Sequence, residues 1–152
     1  MSMISSLVRD ELTLLDVSCA NQDELFTLIA DVTLKLGYTK PSYLQAIKDR
    51  ESQFPTGLPV LPYAIAIPHT YPEHIAKNGI GVIRLNEPVE FNQMGSMDTK
   101  LSCKYIFPIF LEGKLQVDAL SSLMQLFQDA EFLNLMEKAT GEEIREYLTS
   151  KY

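Results

Sequence analysis

The sequence predicts an α/β sandwich, one domain over residues 1–152, with a mixed sheet of about five strands flanked by helices. Three observations predict it. Apolar residues recur at helical spacing before residue 54 and again after residue 115. Between them lie short runs rich in β-branched and aromatic residues, broken by proline-rich loops. No repeat, low-complexity tract or linker divides the 152 residues, a length that suits one hydrophobic core.

The elements follow in order. Glu11–Val17, "ELTLLDV", reads as a short strand. Asn21 and Glu24 form an Asn-type capping box for a helix with Leu25, Leu28, Ile29, Val32 and Leu36 on its apolar face, and Gly37 supplies the stop. Pro41 opens a second helix whose apolar face carries Tyr43, Leu44, Ile47 and Phe54 and which ends near Arg50 and Glu51. Pro55–Tyr63 holds three prolines and a glycine in nine residues, which makes it a shaped loop. "AIAI" is a short strand, followed by a second loop. Ile80–Leu85 is an apolar strand covered on both faces. The next segment reads as irregular, with a short extended piece at Val89–Phe91. Lys104–Glu112 is a strand whose Pro108 requires an edge or a bulge. The rest is helical: one stripe carries Val117, Leu120, Leu123, Met124 and Phe127, and a capping box at Thr140 and Glu143 starts the last helix.

Composition excludes several functions. The net charge of −7 offers no basic face to displace counterions from nucleic acid, nor to dock on anionic lipid. Cys19 and Cys103 form no CxxC pattern and have no histidine cluster, so buried free thiols are expected, with no metal and no cofactor. The N-terminal segment "MSMISSLVRDELTLLDV" lacks the charged and apolar regions of a signal peptide. No apolar run reaches the length of a membrane span, so no direct membrane insertion is expected. These features predict a cytoplasmic protein.

The stretch "YAIAIPHT", Tyr63–Thr70, carries the chemistry. Ile67 is pushed toward extended geometry by the proline after it. Pro68 has no N–H and cannot continue a central ladder, so the strand ends there. His69 then stands at the carboxyl-end exit, where α/β sheets line their crevices. From composition alone, a polar loop histidine with no chemistry is the favoured reading. No G-x-S-x-G elbow and no H-E-x-x-H pattern accompanies it. A histidine without serine or metal can itself be a nucleophile.

At these residues the chain resembles the fructose/mannitol-type EIIA domains of the bacterial phosphoenolpyruvate:sugar phosphotransferase system. The resemblance runs from about Leu7 to Tyr152 and is strongest in "RESQFPTG" (Arg50–Gly57) and "AIAIPHT" (Ala64–Thr70). "FPTGLP" and "YAIAIPH" look most like the galactitol-type branch. The resemblance implies the mannitol-type EIIA fold and a phosphotransferase component that works through a phosphohistidine. It implies that His69 is phosphorylated by the phosphocarrier HPr and passes the group to a cysteine of a cognate EIIB, which feeds a sugar or polyol entering through EIIC. Arg50 matches the family arginine near the active histidine. Mannitol-type members carry a second histidine in H-x-x-x-L-x-x-L. Here Gln116 stands in that position, ahead of Leu120 and Leu123, which fits galactitol-like members.

Each residue keeps a plainer alternative. Arg50 can be a charge that complements a helix C-terminus. Thr56 and Gly57 can serve the phosphate or only the turn, and Thr70 can donate to the phosphate or only cap. Gln116 is expected within hydrogen-bonding reach of His69 or of the phosphate. His74 is expected to be loop surface. Leu58, Val60, Leu61, Tyr63 and Tyr71 are candidates for an apolar docking rim or for packing beneath the loops. A regulatory, nitrogen-related EIIA domain read by a signalling partner is the competing function, and a binding module without phosphorylation is a third.

Overall fold

Helix α2 (Gln22–Leu36) begins where Asn21 accepts the Glu24 N–H at 2.9 Å, and it stops at Gly37, whose φ of 83° is left-handed. The Glu24 carboxylate reaches the Ala20 N–H instead of closing a reciprocal box. This computed structural model describes residues 3–152. Met1 and Ser2, at the start of the segment read for a signal peptide, lie outside the described residues.

Ahead of α2 are α1 (Met3–Leu7) and β1 (Val8–Val17). After it come α3 (Tyr43–Gln53), β2 (Gly57–Leu58), β3 (Ala64–Ala66), a 3₁₀ turn (Pro72–His74) and β4 (Gly79–Asn92). The chain closes with β5 (Lys100–Ile106), β6 (Ile109–Phe110), α4 (Gly113–Leu126), α5 (Ala130–Leu135) and α6 (Gly141–Lys151). The mixed sheet has the order β1-β4-β5-β3-β2, and β6 also pairs with β4. Strands β1/β4 and β3/β5 are parallel, whereas β4/β5, β4/β6 and β2/β3 are antiparallel.

The sheet separates two cores, as expected for the α/β sandwich. On one face α2 and α3 bring Leu25, Phe26, Ile29, Tyr43 and Ile47 against Ile83, Ile106 and Phe110. On the other, α1 and the C-terminal helices bring Ile4, Leu123, Phe132 and Ile144 against Val82, Tyr105 and Phe107. Each such side chain contributes on the order of 1.5–3 kcal/mol by leaving water.

The expectations needed correction in places. A short helix precedes β1, which starts at Val8 and pairs with Ile80 there. β4 continues through the segment read as irregular, because a register shift between Arg84 and Val89 absorbs Pro88 without ending the strand. The Lys104–Glu112 strand starts earlier, at Lys100, and divides at Phe107–Pro108 into β5 and β6. Pro108 cannot donate, but its carbonyl accepts from Gly81 N at 2.9 Å. Gly81 is required there, since a Cβ would lie 2.8 Å from Pro108 Cγ. The stripe of α4 is rotated from the expected one: Ala119, Leu123 and Leu126 are buried while Val117 is 68% exposed.

Candidate functional site

The site gathers at the carboxyl end of β3. Thr56 and Gly57 lead into β2, where Gly57 lies against the β4 backbone so closely that a Cβ would sit 2.6 Å from the Asn92 carbonyl oxygen. Beyond β3 the ladder persists for two residues: Ile67 N donates to Thr56 O at 3.3 Å, and Pro68 O accepts from Ile109 N at 3.0 Å. His69 follows and is only 8% exposed. Its Nδ1 lies 2.7 Å from the Ile67 carbonyl oxygen. A carbonyl only accepts, so Nδ1 carries the proton and Nε2 keeps a free lone pair. Burial and the nearby Arg50 charge lower the imidazole pKa below its usual 6.5, against the Ile67 hydrogen bond, which raises it. The ring is therefore neutral at pH 7.

Arg50, in the last turn of α3, is stacked. Its guanidinium carbon is 4.2 Å from the Phe54 ring centre and 5.2 Å from that of Tyr71. Both rings are half exposed. Stacking occupies the guanidinium face and leaves the edge donors for an anion. Its charge acts on His69, which joins the two residues into one electrostatic unit.

Thr56 differs from expectation. Its N–H and its hydroxyl both donate to the Glu51 carboxylate, at 2.7 and 2.8 Å. The single hydroxyl proton is thus directed at Glu51 and away from any phosphate. In the sequence Glu51 marks only the end of the helix, next to Arg50. It is buried, and burial pushes its carboxyl up to about 7, while the Thr56 bonds and Arg50 pull the other way. An acid four residues ahead of a proline-threonine-glycine turn was the available signal.

Thr70 is also buried, and its hydroxyl faces the Ala46 carbonyl at 3.5 Å. Its own carbonyl accepts from Gln116 Nε2 at 3.1 Å. Gln116, in the first turn of α4, thus reaches the peptide after His69, and its hydrogen bond does not go to the imidazole. His74 is partly buried rather than loop surface, with Nδ1 2.8 Å from the Ser42 hydroxyl. It lines a cleft of about 380 Å³ with Gln45, Asp49, Arg50, Thr70 and Tyr71. A groove of about 510 Å³ beside Asn21 and Phe91 contains none of these residues.

Around the site Leu61 is 82% exposed, and Phe54, Tyr63 and Tyr71 are partly so. Leu58 is buried in the core and leaves the candidate rim. Val60 packs partly against the same core. Among the described residues no helix is long and apolar enough to cross a membrane.

The family described as phosphoenolpyruvate-dependent sugar phosphotransferase system, EIIA 2, matches residues 6–151. The chain is 26% identical over 134 residues to the galactitol-specific EIIA component of Escherichia coli strain K12, covering 88% of this chain and 89% of that one. Its fold superposes on the mannitol enzyme IIA of E. coli, solved in complex with phosphorylated mannitol enzyme IIB, with a TM-score of 0.76, 22% identity and coverage of 95% and 98%. It also superposes on the nitrogen regulatory protein IIA-Ntr of Neisseria meningitidis, with a TM-score of 0.74, 22% identity and the same coverage of 95% and 98%. The match over nearly the whole chain and the shared mannitol-type fold mean that this chain belongs to the EIIA 2 family of the phosphoenolpyruvate-dependent sugar phosphotransferase system and is a phosphotransferase component acting through a phosphohistidine relay, with the HPr, EIIB and EIIC components of that system as its general partners.

Proposed function

We propose that His69 is the phosphoryl acceptor of this relay and that the chain works in the cytoplasm on the uptake of galactitol or a related polyol. The observation that carries the assignment is the Nδ1–Ile67 hydrogen bond, which presents a neutral ring with Nε2 unprotonated. In the first step Nε2 forms a bond to the phosphorus of phospho-HPr. The donor's N–P bond breaks, and its electron pair returns to the donor imidazole. In the second step a thiolate of EIIB attacks the same phosphorus and the N–P bond at Nε2 breaks. Charge spreads over the equatorial oxygens in each transition state. The edge donors of Arg50 meet that charge as a planar fork.

Gln116 supports the site from behind by holding the Thr70 peptide. Thr56 and Thr70 act through backbone placement. The exposed Leu61, Tyr63 and Tyr71 form the docking rim. Galactitol is favoured over mannitol because glutamine occupies the second-histidine position and because the galactitol-specific relative aligns along 88% of the chain.

Incubation with phosphoenolpyruvate, enzyme I and HPr, followed by mass spectrometry, tests the assignment. One phosphoryl group should appear on His69. His69→Ala should take none, and His74→Ala should label normally. Label persisting in His69→Ala would refute it. A panel of purified EIIB proteins then tests the substrate. Transfer to a galactitol EIIB supports the polyol reading, and label that moves to no EIIB supports the regulatory alternative.

A further inference from the structure

The hydrogen bonds behind His69 form an unbroken series that starts at a buried acid. The Glu51 carboxylate, 3% exposed, receives both donors of Thr56 at 2.7 and 2.8 Å. The Thr56 carbonyl receives Ile67 N–H at 3.3 Å. The Ile67 carbonyl, on that strand, receives His69 Nδ1–H at 2.7 Å. An acid this deep is costly to bury, and turn chemistry alone does not call for one.

We infer that Glu51 is a positioning residue for phosphoryl transfer: by fixing Thr56 it holds the Ile67 peptide, and so sets the tautomer and aim of the His69 imidazole. The inference rests on His69 being the acceptor. Two donors converge on the two oxygens of one carboxylate, and an ionised acid accepts both. A leucine in its place accepts neither and leaves the Thr56 N–H and hydroxyl unpaired. The Ile67 carbonyl then shifts, and the ring loses its reason to keep the proton on Nδ1. A protonated Glu51 keeps both contacts only by reversing the Thr56 hydroxyl, which exchanges charge-assisted bonds for weaker neutral ones. The groups acting on Glu51 are Arg50 and Tyr43 from α3, Thr56 from the loop and Cys103 from β5. Burial pushes the Cys103 thiol up to about 12 and the Tyr43 hydroxyl higher still, so both stay neutral at pH 7 and Arg50 is the one charge among them. With the Glu51 carboxyl at about 7, the relay weakens as pH falls through neutrality.

The test uses the full chain with Glu51→Leu, Thr56→Val and the double variant. Nitrogen-15 NMR of the His69 ring reads the tautomer across pH, and rapid-quench transfer from phospho-HPr reads the rate. The wild type should hold the Nδ1–H form above pH 7. Glu51→Leu should show mixed tautomers and a kcat lowered about tenfold, the scale of one charge-assisted hydrogen bond, with KM for phospho-HPr little changed. The double variant should lose little more than Glu51→Leu alone, because both act on one link. The wild-type rate should fall through pH 7 in a step that Glu51→Leu lacks. A wild-type tautomer in Glu51→Leu, or a slowed rate with the tautomer unchanged, would overturn the inference. If Glu51→Leu does not fold, the tautomer of Thr56→Val decides. Failure of wild-type His69 to accept label would overturn the phosphocarrier reading instead, and the tautomer would still decide the role of Glu51.

Discussion

Arg50→Ala separates the two roles open to this side chain. In the structure the guanidinium stacks on two half-exposed rings, at 4.2 and 5.2 Å. Each exposed cation–π contact is worth roughly 0.5–1 kcal/mol. A charge at a helix C-terminus adds about 0.3–1 kcal/mol. Truncation should therefore cost at most about 3 kcal/mol of folding free energy, and the domain should remain folded at 25 °C. The catalytic loss is of another kind. Hydrogen bonds to a charged phosphoryl group are worth about 1.5–3 kcal/mol, which is roughly 10- to 150-fold in rate. Arg50→Lys keeps the charge without the planar fork and should fall between. Arg50 also lowers the His69 pKa, so the His69 titration should move upward in Arg50→Ala. Rapid-quench transfer from phospho-HPr, thermal unfolding and an NMR titration of His69 give the three readings. A rate within roughly twofold of wild type together with lowered stability would return Arg50 to a purely structural role.

Gln116→Leu removes the bond to the Thr70 carbonyl, worth about 0.5–1.5 kcal/mol, and should slow transfer up to about tenfold without abolishing labelling. Gln116→His should add an ionisation to the pH profile of transfer that the amide lacks, and an unchanged profile would show that the first turn of α4 does not sense the reaction. Asp129 caps α5 through Glu131 N–H and Phe132 N–H, and it receives the hydroxyls of Tyr147 and Tyr152 at 2.6 and 2.7 Å. Its carboxyl is held well below the usual carboxylate range by those donors and Lys151, against the desolvation that raises it. The stabilisation is present above 3.8, the ordinary value, and is lost as pH falls through the lower folded value. Asp129→Asn should lower stability at pH 7 by about 2–4 kcal/mol in urea unfolding while phosphoryl transfer by the folded protein is unchanged.

The end of β3 was legible because Pro68, next to His69, lacks the N–H that a central ladder needs. The two-faced burial of Ile80–Leu85 was legible from its unbroken apolar run. The extent of β4 was not, since Asn86, Glu87 and Pro88 look like a turn until the register shift that absorbs them is seen. The α4 stripe admitted two phases, one through Val117 and one through Ala119. Alanine is too small to signal burial, so the larger valine carried the reading and misled it. The pairing of Glu51 with Thr56 was not legible. Periodicity sorts acids onto solvent faces, and nothing local states that two donors wait five residues ahead. The direction of the Thr56 hydroxyl was hidden for the same reason, because its partner was invisible.

On the proposed assignment, the deep placement of His69 orders traffic through the protein. A side chain with 8% of its surface exposed offers a small target, which donor and acceptor would each have to cover. They would not be seated together. The phosphorylated domain would let HPr go before EIIB arrives, so throughput would depend on how quickly each complex falls apart. Tight embrace by either neighbour would stall the line. A carrier built this way benefits from brief encounters, and the relative abundance of its two visitors governs how much phosphate rests on the histidine at any moment.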